Sequence, residues 1–121
     1  MPGRSPILRL TGIVEASERL RVLLRDLSLQ DFETDWLNQW VVERGIEIVS
    51  EASRHVPEDM KKRHADIPWP KVAGIGNVLR HNYEHVSPAI LWTLVHTELP
   101  VLEQVCRDEL AVELAKEQSA S

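Results

Sequence analysis

The chain is short of several things, and each shortage excludes something. It has one cysteine, Cys106, in 121 residues. No intramolecular disulfide can form, and a reducing cytoplasm is the expected setting. No apolar run reaches the ~20 residues that span a bilayer. Met1-Pro-Gly-Arg-Ser-Pro6 lacks the apolar core of a secretory signal. Positive charge is scarce: 14 Lys and Arg stand against 19 Asp and Glu, a formal net charge of −5. That balance argues against a broad basic nucleic-acid surface but leaves room for a local cation serving one phosphate. No metal site is expected, because the loop between His55 and His64 is too loose to argue for zinc. No segment alternates apolar and polar residues with period two, and there is no internal repeat or low-complexity tract. What remains is an ordinary mixture, 43% hydrophobic and 27% charged. It suits one domain over residues 1–121 with a single core, and flexible ends at 1–5 and 116–121.

Helical spacing runs through the rest. From Pro6 to about Asp26, the residues Leu10, Ile13, Val14, Leu20, Leu23 and Leu24 recur on one side, with Pro6 suited to a first turn. Ser28 can cap a short second helix, Asp31 and Glu33 favour its positive end, and Phe32 anchors it in the core. A long helix is expected from Asp35 to His55, with Trp36, Trp40, Val41, Ile48 and Val49 as its apolar stripe. Gly45, costing ~1 kcal/mol mid-helix, suggests close packing on another helix. Pro57 stops this helix, and Glu58 to His64 form a short polar turn. Ile67-Pro-Trp-Pro70 is a rigid entry to the next helix. Ser87-Pro88 ends that one and starts the last helical region, which Pro100 kinks or divides. The pattern predicts an all-α bundle of four to five main helices. All four tryptophans are expected in the core, Cys106 is expected to be an inert buried thiol, and His55, His64, His85 and His96 are expected to be solvated. Lys61-Lys-Arg63 reads as a solvated basic turn.

The stretch Val72-Ala-Gly-Ile-Gly-Asn-Val-Leu-Arg-His-Asn-Tyr-Glu-His85 gathers the chemistry. At ~100° per residue, Val72, Ile75, Leu79 and Val86 share an apolar side. Ala73, Gly76, Asn77, Arg80, His81 and Glu84 share the opposite one, with Tyr83 at the border. Small residues admit a close backbone neighbour. The expected neighbour is the same helix of a second subunit.

These residues, in this order, resemble the HepT-like branch of the HEPN superfamily, the ribonuclease toxins of HepT–MntA toxin–antitoxin pairs. The resemblance covers roughly residues 7–115. It rests on Gly45-Ile-Glu-Ile-Val-Ser-Glu-Ala52, Ile67-Pro-Trp69, Val72 to Tyr83, and Trp92 followed by Leu99-Pro100. The family's motif is Arg-x4–6-His, usually written Arg-Asn-x3-His-x-Tyr. Asn77, His81 and Tyr83 match it; the arginine position holds Gly76, and Arg80 is the available replacement. A second register, Arg80-x4-His85, meets the bare spacing but places Ser87 at the tyrosine position and leaves Asn77 without a role.

The resemblance implies an HEPN-like bundle and a metal-independent RNA endonuclease with a composite site at a homodimer interface. It needs no cofactor. His81 would act as acid and base, Arg80 would hold phosphate charge and Asn77 would orient. Tyr83 would be the target of AMP transfer from a partner, an MntA-like minimal nucleotidyltransferase antitoxin. The alternative is a catalytically degenerate HEPN module that binds such a partner, or nucleotide, without cutting RNA; Gly76 is its main support.

Overall fold

The computed structural model describes residues 5–81 and 86–120. Their order is α1 (Ile7–Leu24), α2 (Leu29–Glu33), α3 (Trp36–Ser53), α4 (Glu58–Arg63), α5 (Trp69–His81), α6 (Pro88–Thr93), a π-helical turn (Leu94–Glu98) and α7 (Leu99–Ala120). Among the described residues there is no strand, and none of the helices is long and apolar enough to cross a membrane. The protein is all-α, and α1, α3, α5 and α7 are its long helices.

Local chemistry sets the boundaries. Ser28 caps α2 in a reciprocal box: its hydroxyl accepts from the Asp31 N–H at 3.0 Å, and the Asp31 carboxylate accepts from the Ser28 N–H at 3.1 Å. Phe32 then drops into the core, fully buried. Asp35 caps α3 and Ser87 caps α6, with Pro88 in the first turn. At Pro100 the last helical region is divided without a gap: the π-helical turn ends at Glu98 and α7 begins at Leu99. A proline nitrogen cannot donate to the carbonyl four residues back. Here the turn before it widens to π spacing, and the Leu99 N–H donates to the Leu94 carbonyl oxygen.

The core is one cluster built from α1, α3 and α7, with Phe32, Met60, Trp69 and Leu91 contributed by the shorter and outer elements. The close packing expected at Gly45 is present. A Cβ there would lie 2.7 Å from both Leu20 methyl carbons, so the Leu20 side chain of α1 packs directly on the α3 backbone and would have to move for any larger residue. Ion pairs fasten α7. Glu103 accepts from Arg21 of α1 at 2.9 Å and from Arg107 at 2.8 Å. Glu109 accepts from Arg63 at 2.9 Å and meets His64 Nε2 at 2.7 Å.

Three expectations need correction. Trp36 and Trp40 are not core residues: they are 61% and 65% exposed, and Val41 and Ile48 are exposed with them. The buried arc of α3 is Val42, Gly45, Ile46, Val49, Ser50, Ala52 and Ser53. Val42, Ile46 and Val49 supply its apolar bulk, while Gly45 and Ser50 stand where α1 and α5 come closest, so the tryptophans lie on the opposite, outer side. Trp69 is buried, and Trp92 is partly buried against Phe32, with ring centroids 5.7 Å apart. His64 is not solvated, and Arg63 is not a free surface cation; both are held by Glu109.

Candidate active site

α5 is set by its entry and by α3. Trp69 is buried, and its indole N–H donates to the His64 carbonyl oxygen at 3.0 Å. Lys61 lies 5.9 Å from the centre of its ring. Further along, Ser50 of α3 acts as a double clasp. Its hydroxyl donates to the Ala73 carbonyl oxygen at 2.9 Å and accepts from the Gly76 N–H at 3.0 Å. Arg54 donates to the same carbonyl oxygen at 2.9 Å. The last turns of α3 therefore lie beside the first half of α5.

This contact revises the reading of the small residues. Gly76 is buried against α3 of its own chain, not presented to a second subunit. A Cβ on Gly76 would sit 2.8 Å from Ser50 Oγ and 3.0 Å from Ser50 Cβ. The position where the motif arginine is expected is thus closed by packing. The same built Cβ lies 3.6 Å from Arg80 Nη1. Arg80 folds back one turn, as helix side chains do, and its guanidinium hangs over the ground an arginine at 76 would start from.

The other faces of α5 divide cleanly. Leu79 is buried, and Val72 and Ile75 are partly buried against the core. Val72 and Ile75 also line an apolar cleft of about 260 Å³ between α5, α3 and the π turn. Lys71 and Glu98 pair at 3.2 Å between α5 and the π turn. Asn77, Arg80 and His81 are exposed. None of the three makes a hydrogen bond or ion pair with another described residue. A helix turn groups them: Asn77 lies between Arg80 and His81 on one side of the cylinder. Among the described residues, an amide, a guanidinium and an imidazole are therefore left without a partner on this face. Tyr83, Glu84 and His85 lie outside the described residues, so the competing Arg80–His85 register falls outside them too.

Among the described residues no three His, Cys, Asp or Glu side chains come together for a metal. Cys106 is buried, and burial, with a smaller push from the Glu109 charge, raises its thiol to about 12. It is an inert core group rather than a nucleophile. The clasp at Ser50 is the element that sequence reasoning missed. A serine pointing at a glycine on another helix leaves no spacing signal in one chain.

The chain is similar to proteins named as ribonucleases. A chain from Thermococcus cleftensis named "Probable ribonuclease HepT" is 36% identical over 94 residues, covering 78% of this chain and 86% of the relative. One from Caldanaerobacter subterraneus subsp. tengcongensis, named "Putative RNase TTE0752", is 29% identical over 110 residues, covering 91% and 98%. No solved structure matches the chain. The family model described as ribonuclease HepT-like matches residues 13–109, a span that includes the Ser50–Gly76 clasp and the Asn77, Arg80 and His81 face; the chain belongs to the ribonuclease HepT-like family.

Proposed function

We propose that this protein is a metal-independent RNA endonuclease, the toxin of a HEPN–nucleotidyltransferase pair, acting in the cytoplasm as a homodimer. The observation that supports the reading is the exposed set Asn77, Arg80 and His81, unpaired among the described residues, with the Arg80 guanidinium standing over Gly76. Two such faces, one from each copy, would form one groove. Arg80 would hold a non-bridging phosphate oxygen and stabilise the charge that builds on it. His81 of one copy would take the proton of the ribose 2′-hydroxyl. The 2′-oxygen would attack phosphorus as the bond to the 5′-oxygen breaks, and His81 of the other copy would protonate that leaving oxygen. The products are a 2′,3′-cyclic phosphate and a 5′-hydroxyl. Asn77 would orient the imidazole or the phosphate. Tyr83 is the proposed acceptor of AMP from an MntA-like nucleotidyltransferase, whose added phosphates would repel RNA from the groove.

The test is RNA cleavage by purified protein in EDTA. Wild type should cut, leaving cyclic phosphate ends, and His81→Ala should lower the rate about 10²–10⁴-fold. Equal background cleavage by wild type and His81→Ala would overturn the reading. One observation favours the alternative, a module that binds its nucleotidyltransferase partner without cutting: the motif arginine position is closed by Ser50. Tight partner binding with no cleavage would select it.

A further inference from the structure

We infer that Arg54 of α3 is a second phosphate ligand beside the α5 face, holding a phosphate of the RNA strand other than the scissile one at Arg80 and His81. The inference rests on the proposed ribonuclease and names a residue that tracks its substrate. Arg54 is the C-cap residue of α3, and its side chain reaches across to α5. Its Nη2 donates to the Ala73 carbonyl oxygen at 2.9 Å. The Ser50 hydroxyl already donates to that oxygen at 2.9 Å, so the carbonyl is satisfied without Arg54. The arginine bond does something else. It fixes a guanidinium at the edge of α5 while leaving the side chain 45% exposed.

A guanidinium presents several N–H donors in a rigid fork that matches a phosphate. Here Nη2 is on Ala73, and Nε faces the Glu51 carboxylate at 3.9 Å. Nη1 has no partner among the described residues, so one edge of the fork is open. Glu51 is itself exposed and also meets His55 Nε2 at 3.3 Å. A solvated carboxylate at that range holds the arginine weakly, whereas the backbone bond keeps it in place. A cation held before RNA arrives loses little freedom on binding it. In a chain of formal net charge −5, affinity for RNA has to come from a few placed cations rather than from a broad field.

The position along α5 decides which phosphate Arg54 meets. Ala73, Gly76, Asn77 and Arg80 share one side of α5. Arg80 Nη1 folds back to 3.6 Å from the Cβ position of Gly76, and Arg54 is anchored at Ala73, a further turn toward the start of the helix. Ala73 and His81 are about 12 Å apart along the axis. Consecutive phosphates of a stacked strand rise by about 3.4 Å. A strand whose scissile phosphate lies at His81 therefore brings another phosphate past Arg54. Arg54 touches no reacting atom in this arrangement; it is a binding residue.

The experiment compares wild type, Arg54→Gln and Arg54→Lys on a 2′-O-methyl oligouridylate, an ordinary oligouridylate and UpU. The first lacks the attacking hydroxyl and is only bound, and the single phosphate of UpU is the scissile one. Arg54→Gln should weaken binding of the 2′-O-methyl strand about tenfold. It should also make the slope of log K against log salt shallower by about 0.7, the share of one phosphate. On the oligouridylate it should raise KM about tenfold and leave kcat unchanged, and UpU cleavage should not change. Arg54→Lys should restore the salt slope. Helicity should match wild type in both variants, because Ser50 keeps its hold on Ala73. The inference is overturned if wild type does not bind the 2′-O-methyl strand, or if Arg54→Gln keeps the wild-type salt slope while wild type still cuts RNA. It is overturned too if UpU cleavage falls as far as oligouridylate cleavage, which would make Arg54 a packing support for α5. If no form cuts either substrate while Arg54→Gln still loses the slope, the phosphate ligand stands and the ribonuclease reading fails.

Discussion

Ser17 lies buried on α1, and its hydroxyl finds no hydrogen-bond partner among the described residues. A hydroxyl taken from water without compensation is a net cost. Ser17→Ala should therefore stabilise the protein by about 1 kcal/mol, seen as a rise in Tm of about 3–5 °C. Gly76 is the opposite case. Even the Cβ of alanine would press on Ser50. Gly76→Ala should cost about 1–3 kcal/mol through overpacking, measured by urea unfolding. Ser50→Gly in the same chain should recover part of that, so the two changes will not add. At this scale the sequence was a partial guide. Asn77, Arg80 and His81 stood out as a polar group at helical spacing, and they are exposed together. Gly76 carried no sign of which helix it approached.

At the scale of elements, the ion pairs on α7 give the fold a defined response to acid. Burial pushes the Glu103 carboxyl up, but hydrogen bonds and charge from Arg21 and Arg107 outweigh it and hold the group below its ordinary value of 4.5. At Glu109, hydrogen bonding from Arg63 leads, with help from His64, and outweighs burial to the same effect. Both carboxyls bind a proton more readily in the unfolded chain. Their contribution is complete above the ordinary glutamate range and is lost as pH falls through the folded values. Tm should be flat from neutral pH down to about 5 and fall below it. Glu103→Gln with Glu109→Gln should lower the plateau and shallow the acid slope; an unchanged slope would mean these pairs are not the acid-sensitive element. Helix starts were the most legible elements, because Ser28, Asp35 and Ser87 announce caps by chemistry that acts within three residues. The burial of α3 was not legible. Its tryptophans satisfy a helical stripe, and only the closeness of α1 and α5 decides that Gly45 and Ser50 face inward instead.

For the whole molecule, periodicity and the absence of alternating segments sufficed to give an all-α bundle, because those signals repeat over many residues. The way α5 sits outside the bundle did not follow from them. It packs chiefly on α3, leaving an apolar cleft behind it and a polar face in front. Long-range partners such as Arg63 and Glu109, 46 positions apart, likewise leave no trace in one sequence. The arrangement makes α5 a helix with one firm neighbour, so the groove proposed for RNA depends on how α3 is held.

The clasp between Ser50 and Gly76 also bears on where this surface can be altered. An arginine at position 76 would carry the same overpacking cost as alanine there, because its first carbon would lie 2.8 Å from the Ser50 hydroxyl oxygen. Any shift of Ser50 that relieves the contact also loosens its hold on the Gly76 N–H and the Ala73 carbonyl oxygen. A cation introduced at position 76 would therefore loosen the α3–α5 contact, whereas Arg80 makes no contact with Ser50 and can be exchanged without disturbing it. Position 80 is the one from which the cation can be tuned freely.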